Sequence, residues 1–170
     1  MLKSIITIVA VLFISGGLAV AGSQGSVYVP RAPLFAICAS IGFILHWLVF
    51  IPGFIYQTEH YFDLTGSISY IASVTVAAVL HPNLDPRGFI ICVLIFIWAT
   101  RLGSFLFIRV KKAGQDRRFT EMKTRFWRYL LTWTLGGAWV FITTAAGLAA
   151  ITSMTQRPLG IWIILGILLW

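Results

Sequence analysis

The chain predicts an all-α fold, a multi-pass transmembrane helical bundle of about five full spans plus a truncated sixth. Three observations carry that expectation. The composition is 59% hydrophobic and only 11% charged, whereas soluble domains are about 25% charged. Apolar runs recur along the whole chain, most near the roughly 20 residues that a hydrocarbon core of about 30 Å demands of a helix. The basic residues gather in one inter-span loop, the sorting expected of a protein oriented by its charges.

The spans fall near residues 4–21, 34–56, 64–80, 88–108 and 129–151. A sixth apolar run begins after Pro158 and reaches Trp170, about 13 residues, too short to cross. In the first run, Lys3, the apolar residues 5–20 and Ala19-Val20-Ala21 before Gly22 have the form of a cleavable signal peptide. The multi-span context favours an uncleaved first span instead. Residues 22–31 form a loop closed by Pro30 and Pro33. The second span ends in Pro52-Gly53, where a kink is expected because proline removes a backbone donor.

The third span is unusually polar, with Thr65, Ser67, Ser69, Tyr70, Ser73 and Thr75. Asp63, Gly66, Tyr70, Ser73 and Ala77 are spaced to share one helical face. Such a face serves interhelical hydrogen bonding and close packing, or it lines a polar pocket. Residues 81–86 read as a tight turn. The fourth span carries Arg101, with Trp98 and Phe105 on the same face and Ser104 beside it. Gly136-Gly137 in the fifth span permits close helix contact, and Gln156-Arg157-Pro158 is a further turn. The chain forms a single transmembrane domain over 1–170, with no soluble domain or internal repeat.

A net charge of +8 would suggest a nucleic-acid partner in a soluble protein. Here the distribution explains it, and no nucleic acid is expected. Eight of the 13 basic residues lie between the fourth and fifth spans, which makes that loop cytoplasmic by the positive-inside rule. Alternation places the N-terminus with Lys3 on the same side and Arg31, Arg87 and Arg157 on the other. The expected location is the endoplasmic reticulum or the bacterial inner membrane. Cys38 and Cys92, both inside spans, read as free apolar residues, and no Cys/His spacing suggests a metal.

Candidate chemistry clusters at two places. In Gln57-Thr58-Glu59-His60-Tyr61-Phe62-Asp63, Glu59 and Asp63 are four apart and would face one side of a helix. Each is a candidate ion-pair partner, for Arg101 or for the basic loop, or a proton donor, and Asp63 is also placed to cap the third span. Arg101 is the second place. An arginine at a helix centre costs about 2.5–3.5 kcal/mol in a bilayer, so it should face protein or water, with Glu59 its expected acidic partner. The basic loop offers guanidinium forks to a nucleotide phosphate, but for each residue taken separately the topogenic role or anionic lipid headgroups explain the charge more readily. His46, His60 and His81 receive no role.

Three motifs occur in order: residues 57–67, then Trp98-Ala99-Thr100-Arg101-Leu102-Gly103-Ser104, then Gly114, Asp116, Arg118 and Phe119. Together they resemble the uncharacterised branch of steroid 5-alpha-reductase-like membrane proteins, over residues 43–139. The resemblance implies NADPH-dependent reduction of a carbon–carbon double bond conjugated to a carbonyl, in a lipid- or steroid-like substrate. It makes Glu59 the carboxylate of the polar pair that holds the carbonyl. Trp98 stands where these reductases commonly have tyrosine; an indole donates one hydrogen bond but is not an acid. Arg101 corresponds to a cofactor-side arginine, and Arg109 with Arg118 would approach the phosphates. The family also implies a further C-terminal half with the remaining NADPH motifs, so residues 1–170 are expected to be the N-terminal part of a longer fold, inactive alone. Two alternatives remain: a non-enzymatic membrane protein with a packing or lipid-binding role, and an isoprenylcysteine-methyltransferase-like enzyme.

Overall fold

A computed structural model describes residues 1–113, 119 and 121–169. Its helices are α1 (Leu2–Gly22), α2 (Leu34–Ile55), α3 (Phe62–Leu80), α4 (Pro86–Ala113), α5 (Phe126–Ile151) and α6 (Ile161–Leu169). The first five are long and apolar enough to cross a membrane; α6, with 9 residues, is not. This is the expected integral membrane architecture, and each span starts or ends within a few residues of its predicted place. The fourth runs furthest beyond expectation, to Ala113. Its extra turn holds Lys111 and Lys112, and cations at a helix C-terminus complement the helix dipole.

The loop after α1 is more ordered than its composition suggests. A two-stranded antiparallel hairpin, β1 (Tyr28–Val29) with β2 (Ala32–Pro33), pairs Tyr28 with Pro33 and Val29 with Ala32. The segment also bonds to the end of α5, through Val27 N–H to the Thr152 carbonyl at 2.9 Å and Met154 N–H to the Gly25 carbonyl at 2.9 Å. At the same end Asp85 caps α4 by accepting from Gly88 N–H at 2.6 Å. The opposite, basic end joins the α2–α3 loop to α5, where the Tyr129 hydroxyl donates to the Thr58 carbonyl at 2.7 Å. There Gln57 adopts a left-handed φ of 52°, which turns the chain back within six residues of the end of α2.

The core lies among α2, α3 and α5. Leu34, Phe35, Val74, Phe141 and Leu148 fill it towards the hairpin end; Phe50, Phe119, Tyr129 and Trp133 fill it towards the basic end. Cys38 and Cys92 are free and buried, each bonded to or from α3: the Ser73 hydroxyl donates to the Cys38 carbonyl at 3.2 Å, and the Cys92 thiol to the Val74 carbonyl at 3.8 Å. α1 is peripheral, burying only Ser4 and Ser15 while Val9 and Phe13 lie open. Two close approaches set the helix spacing. A β-carbon at Gly137 would sit 2.9 Å from Phe43 Cα, which locks α5 onto α2, and one at Gly103 would sit 2.6 Å from the Ser67 side chain, which locks α4 onto α3.

Candidate functional site

These two contacts pair α2 with α5 and α3 with α4, and they leave α4 and α5 touching only sparsely. A trough opens between them with α3 as its floor. It contains two cavities. One of about 320 Å³, towards the basic end, is lined by Asp63, Gly66, Ser67 and Tyr70 of α3, with His46, Leu106 and Gly136 among its walls. The other, about 650 Å³, is lined by Trp98 and Arg101 of α4 and by Trp139, Thr143 and Gly147 of α5. Tyr70 and Trp139 line both.

The polar face of α3 packs along one half and borders a cavity along the other, but that cavity is largely apolar rather than the polar pocket expected. Its first half borders a cavity, while Ser73 and Ala77 are packed into the core. Tyr70 marks the division. Its hydroxyl lies 2.7 Å from that of Thr143, and its ring stands edge-on to Trp98 with centroids 4.9 Å apart. The Thr143 hydroxyl also reaches the Trp139 carbonyl at 2.7 Å. When Thr143 donates to that carbonyl, Tyr70 donates to Thr143. When Thr143 turns its proton towards Tyr70, the phenolic O–H is free to serve a ligand.

Of the residues singled out from sequence, Trp98 and Arg101 share the larger cavity. Arg101 is exposed, and among the described residues no carboxylate comes within ion-pair distance of it. The expected pairing of Arg101 with Glu59 is not made. Glu59, 3% exposed, instead binds Lys123 Nζ at 2.9 Å. Depth explains the difference: Glu59 lies before α3 at the basic end, whereas Arg101 is eight residues, about 12 Å of helix, below Arg109. It is Arg109 that reaches the start of α3, meeting Asp63 at 3.5 Å. Asp63 is not the cap of α3 either. Tyr61 holds that position without a side-chain bond, and Asp63 sits in the first turn, where a carboxylate favours the helix dipole.

Glu59 lines neither cavity, whereas Trp98 lines the larger one. Arg118, with Gly114, Asp116 and Arg117, lies outside the described residues. Phe119 is buried against Phe62 and Tyr129, with centroids 5.0 and 6.3 Å away, which anchors the end of the basic loop on the bundle. Thr143, Trp139 and His46 line the cavities without having been given a role from the sequence. His46 is buried in α2, and its Nδ1 lies 2.7 Å from the Gly42 carbonyl. The available signal was its position in a span, where ionisable residues face the protein interior or a cavity.

The helices and the trough define a multi-pass α-helical membrane protein with a largely apolar cavity and a cation in its lining. Residues 49–170 match the family described as "Protein of unknown function (DUF1295)", and the chain belongs to that family. The match spans α3, α4 and α5, the floor and both walls of the trough. No curated protein and no solved structure matches the chain.

Proposed function

We propose that this protein is a membrane-embedded, NADPH-dependent reductase that saturates a carbon–carbon double bond conjugated to a carbonyl in a steroid- or lipid-like substrate. The steroid 5-alpha-reductase-like motifs suggest the reaction. The observation that carries it is the larger cavity: apolar walls for a lipid body, with Trp98, Tyr70 and Arg101 as its polar points. Orientation follows the basic loop, with that loop and the N-terminus cytoplasmic.

Reduction of an enone builds negative charge on the carbonyl oxygen, and a preorganised donor in a dry site stabilises that charge. The Tyr70 hydroxyl supplies such a donor once Thr143 turns its own proton towards it, and the Trp98 ring holds the phenol in place. Glu59 enters this reading as the buried anchor of Lys123 at the mouth. The residues present fit the anionic part of a dinucleotide: Arg101 opens onto the cavity without a carboxylate among the described residues, and Arg109 is half-exposed at the end of the same helix. Arg101 and Arg109, with Arg118, would hold the phosphates of NADPH, which when bound supplies the hydride.

The test is NADPH consumption by the protein in lipid nanodiscs against a panel of enone steroids and enone lipids, with the saturated product identified by mass spectrometry. Tyr70→Phe is expected to lower turnover roughly 10²-fold, the usual effect of removing one oxyanion donor. If no enone in the panel is saturated at the expense of NADPH, the proposal fails. Methyl transfer to an isoprenylcysteine in the same preparation would replace it with the methyltransferase alternative.

A further inference from the structure

The smaller cavity is lined by a buried side chain with a polar atom whose bonding capacity the fold leaves open. His46 is 1% exposed and stands edge-on to Phe62 and Trp133, with ring centroids 5.9 Å from each. Its Nδ1 lies 2.7 Å from the Gly42 carbonyl oxygen. A carbonyl oxygen only accepts, so Nδ1 carries the proton. In the neutral imidazole Nε2 is then a bare acceptor, and among the described residues no donor reaches it. Space beside Nε2 is kept by Gly136, where a β-carbon would lie 2.8 Å from Nε2 and 2.7 Å from Cδ2. His46 and Gly136 both line the cavity, whose remaining walls include Leu102, Leu106 and Leu135.

We infer that this cavity is a subsite for the hydroxyl-bearing end of an apolar ligand, with His46 Nε2 accepting the ligand's O–H. At membrane depth there is no bulk water to satisfy such an acceptor, and the polar groups nearby, Ser67, Tyr70 and Trp133 among them, make no hydrogen bond to it. Tyr70 and Trp139 border this cavity and the larger one alike. A ligand seated along the trough therefore has an apolar body with a polar group towards each end: a hydroxyl against His46 and a second group near Trp98 and Arg101. Hydroxylated sterol-like or isoprenoid molecules have that form. The inference rests on the proposed function only in taking the trough as the substrate's seat; the reduction itself plays no part in it.

The experiment uses matched probes with the protein in nanodiscs: a 3-hydroxysteroid with its 3-deoxy counterpart, and a long-chain isoprenoid alcohol with its parent hydrocarbon. Binding is followed by quenching of tryptophan fluorescence, and the His46 imidazole by ¹⁵N NMR of histidine-labelled protein. The wild type is expected to prefer at least one alcohol over its deoxy partner about tenfold, the effect of one net hydrogen bond. The Nε2 resonance should move with that alcohol and stay unmoved with the hydrocarbon. Gly136→Ala, which keeps the histidine but closes the space beside Nε2, should abolish the preference, as should His46→Leu. Equal binding of both members of each pair, or an Nε2 signal indifferent to the alcohols, means that water alone serves Nε2 and overturns the inference. None of these readouts uses NADPH. A protein with the alcohol preference but no enone turnover would keep the subsite and lose the reductase.

Discussion

Replacing Arg101 with leucine separates a ligand-binding arginine from a structural one. In the folded chain Arg101 is exposed on the larger cavity, and no carboxylate among the described residues pairs with it. Its removal therefore breaks no ion pair there, and it relieves a charge whose insertion at a helix centre costs about 2.5–3.5 kcal/mol. That figure is an upper bound on any gain, because the unfolded chain in the membrane carries the same residue. Thermal stability in nanodiscs should stay unchanged or rise. Affinity for NADPH should fall, since a hydrogen bond to a charged group is worth about 1.5–3 kcal/mol, or roughly ten- to hundredfold in Kd. Thermal unfolding and NADPH titration on the same preparation measure both quantities. A melting temperature lowered by several degrees with NADPH binding untouched would show that Arg101 organises helix packing, and the cofactor assignment would be wrong.

Two further outcomes follow from the helix packing and the charge distribution. Gly137→Ala should destabilise the bundle by about 1–3 kcal/mol, the usual cost of overpacking, because its β-carbon would meet the backbone of Phe43 at 2.9 Å. Gly66→Ala, on the cavity side of α3 with nothing within 4 Å of the new atom, should be neutral or stabilising by up to about 1 kcal/mol through helix propensity; equal losses in the two variants would contradict the close α2–α5 approach. Single cysteines placed in the basic loop and at Asp85, in a background lacking Cys38 and Cys92, should label from opposite faces of the membrane, the loop from the cytoplasm. Labelling of the loop cysteine from outside would reverse the orientation.

The spans were legible in the sequence because crossing a bilayer is a one-dimensional requirement, met by length and apolarity alone. Hence the helices came out close to their expected bounds, from the first run near Lys3 to the short one before Trp170. The polar stripe on α3 was legible for the same reason: helical periodicity places Asp63, Gly66 and Tyr70 on one face whatever surrounds them. What that face meets was not legible. It packs along one half and borders a largely apolar cavity along the other, because Gly103 and Gly137 draw the helices into two close pairs and leave a gap over one half. The acidic partners were likewise decided only in three dimensions. Glu59 and Arg101 suit each other by charge, but ion pairing needs equal depth, and depth put Lys123 beside Glu59 and Arg109 beside Asp63. His46 shows the same limit: its place in a span could be read from the sequence, whereas the open side of its imidazole depends on a glycine 90 residues away, brought against it by the packing of α5 on α2.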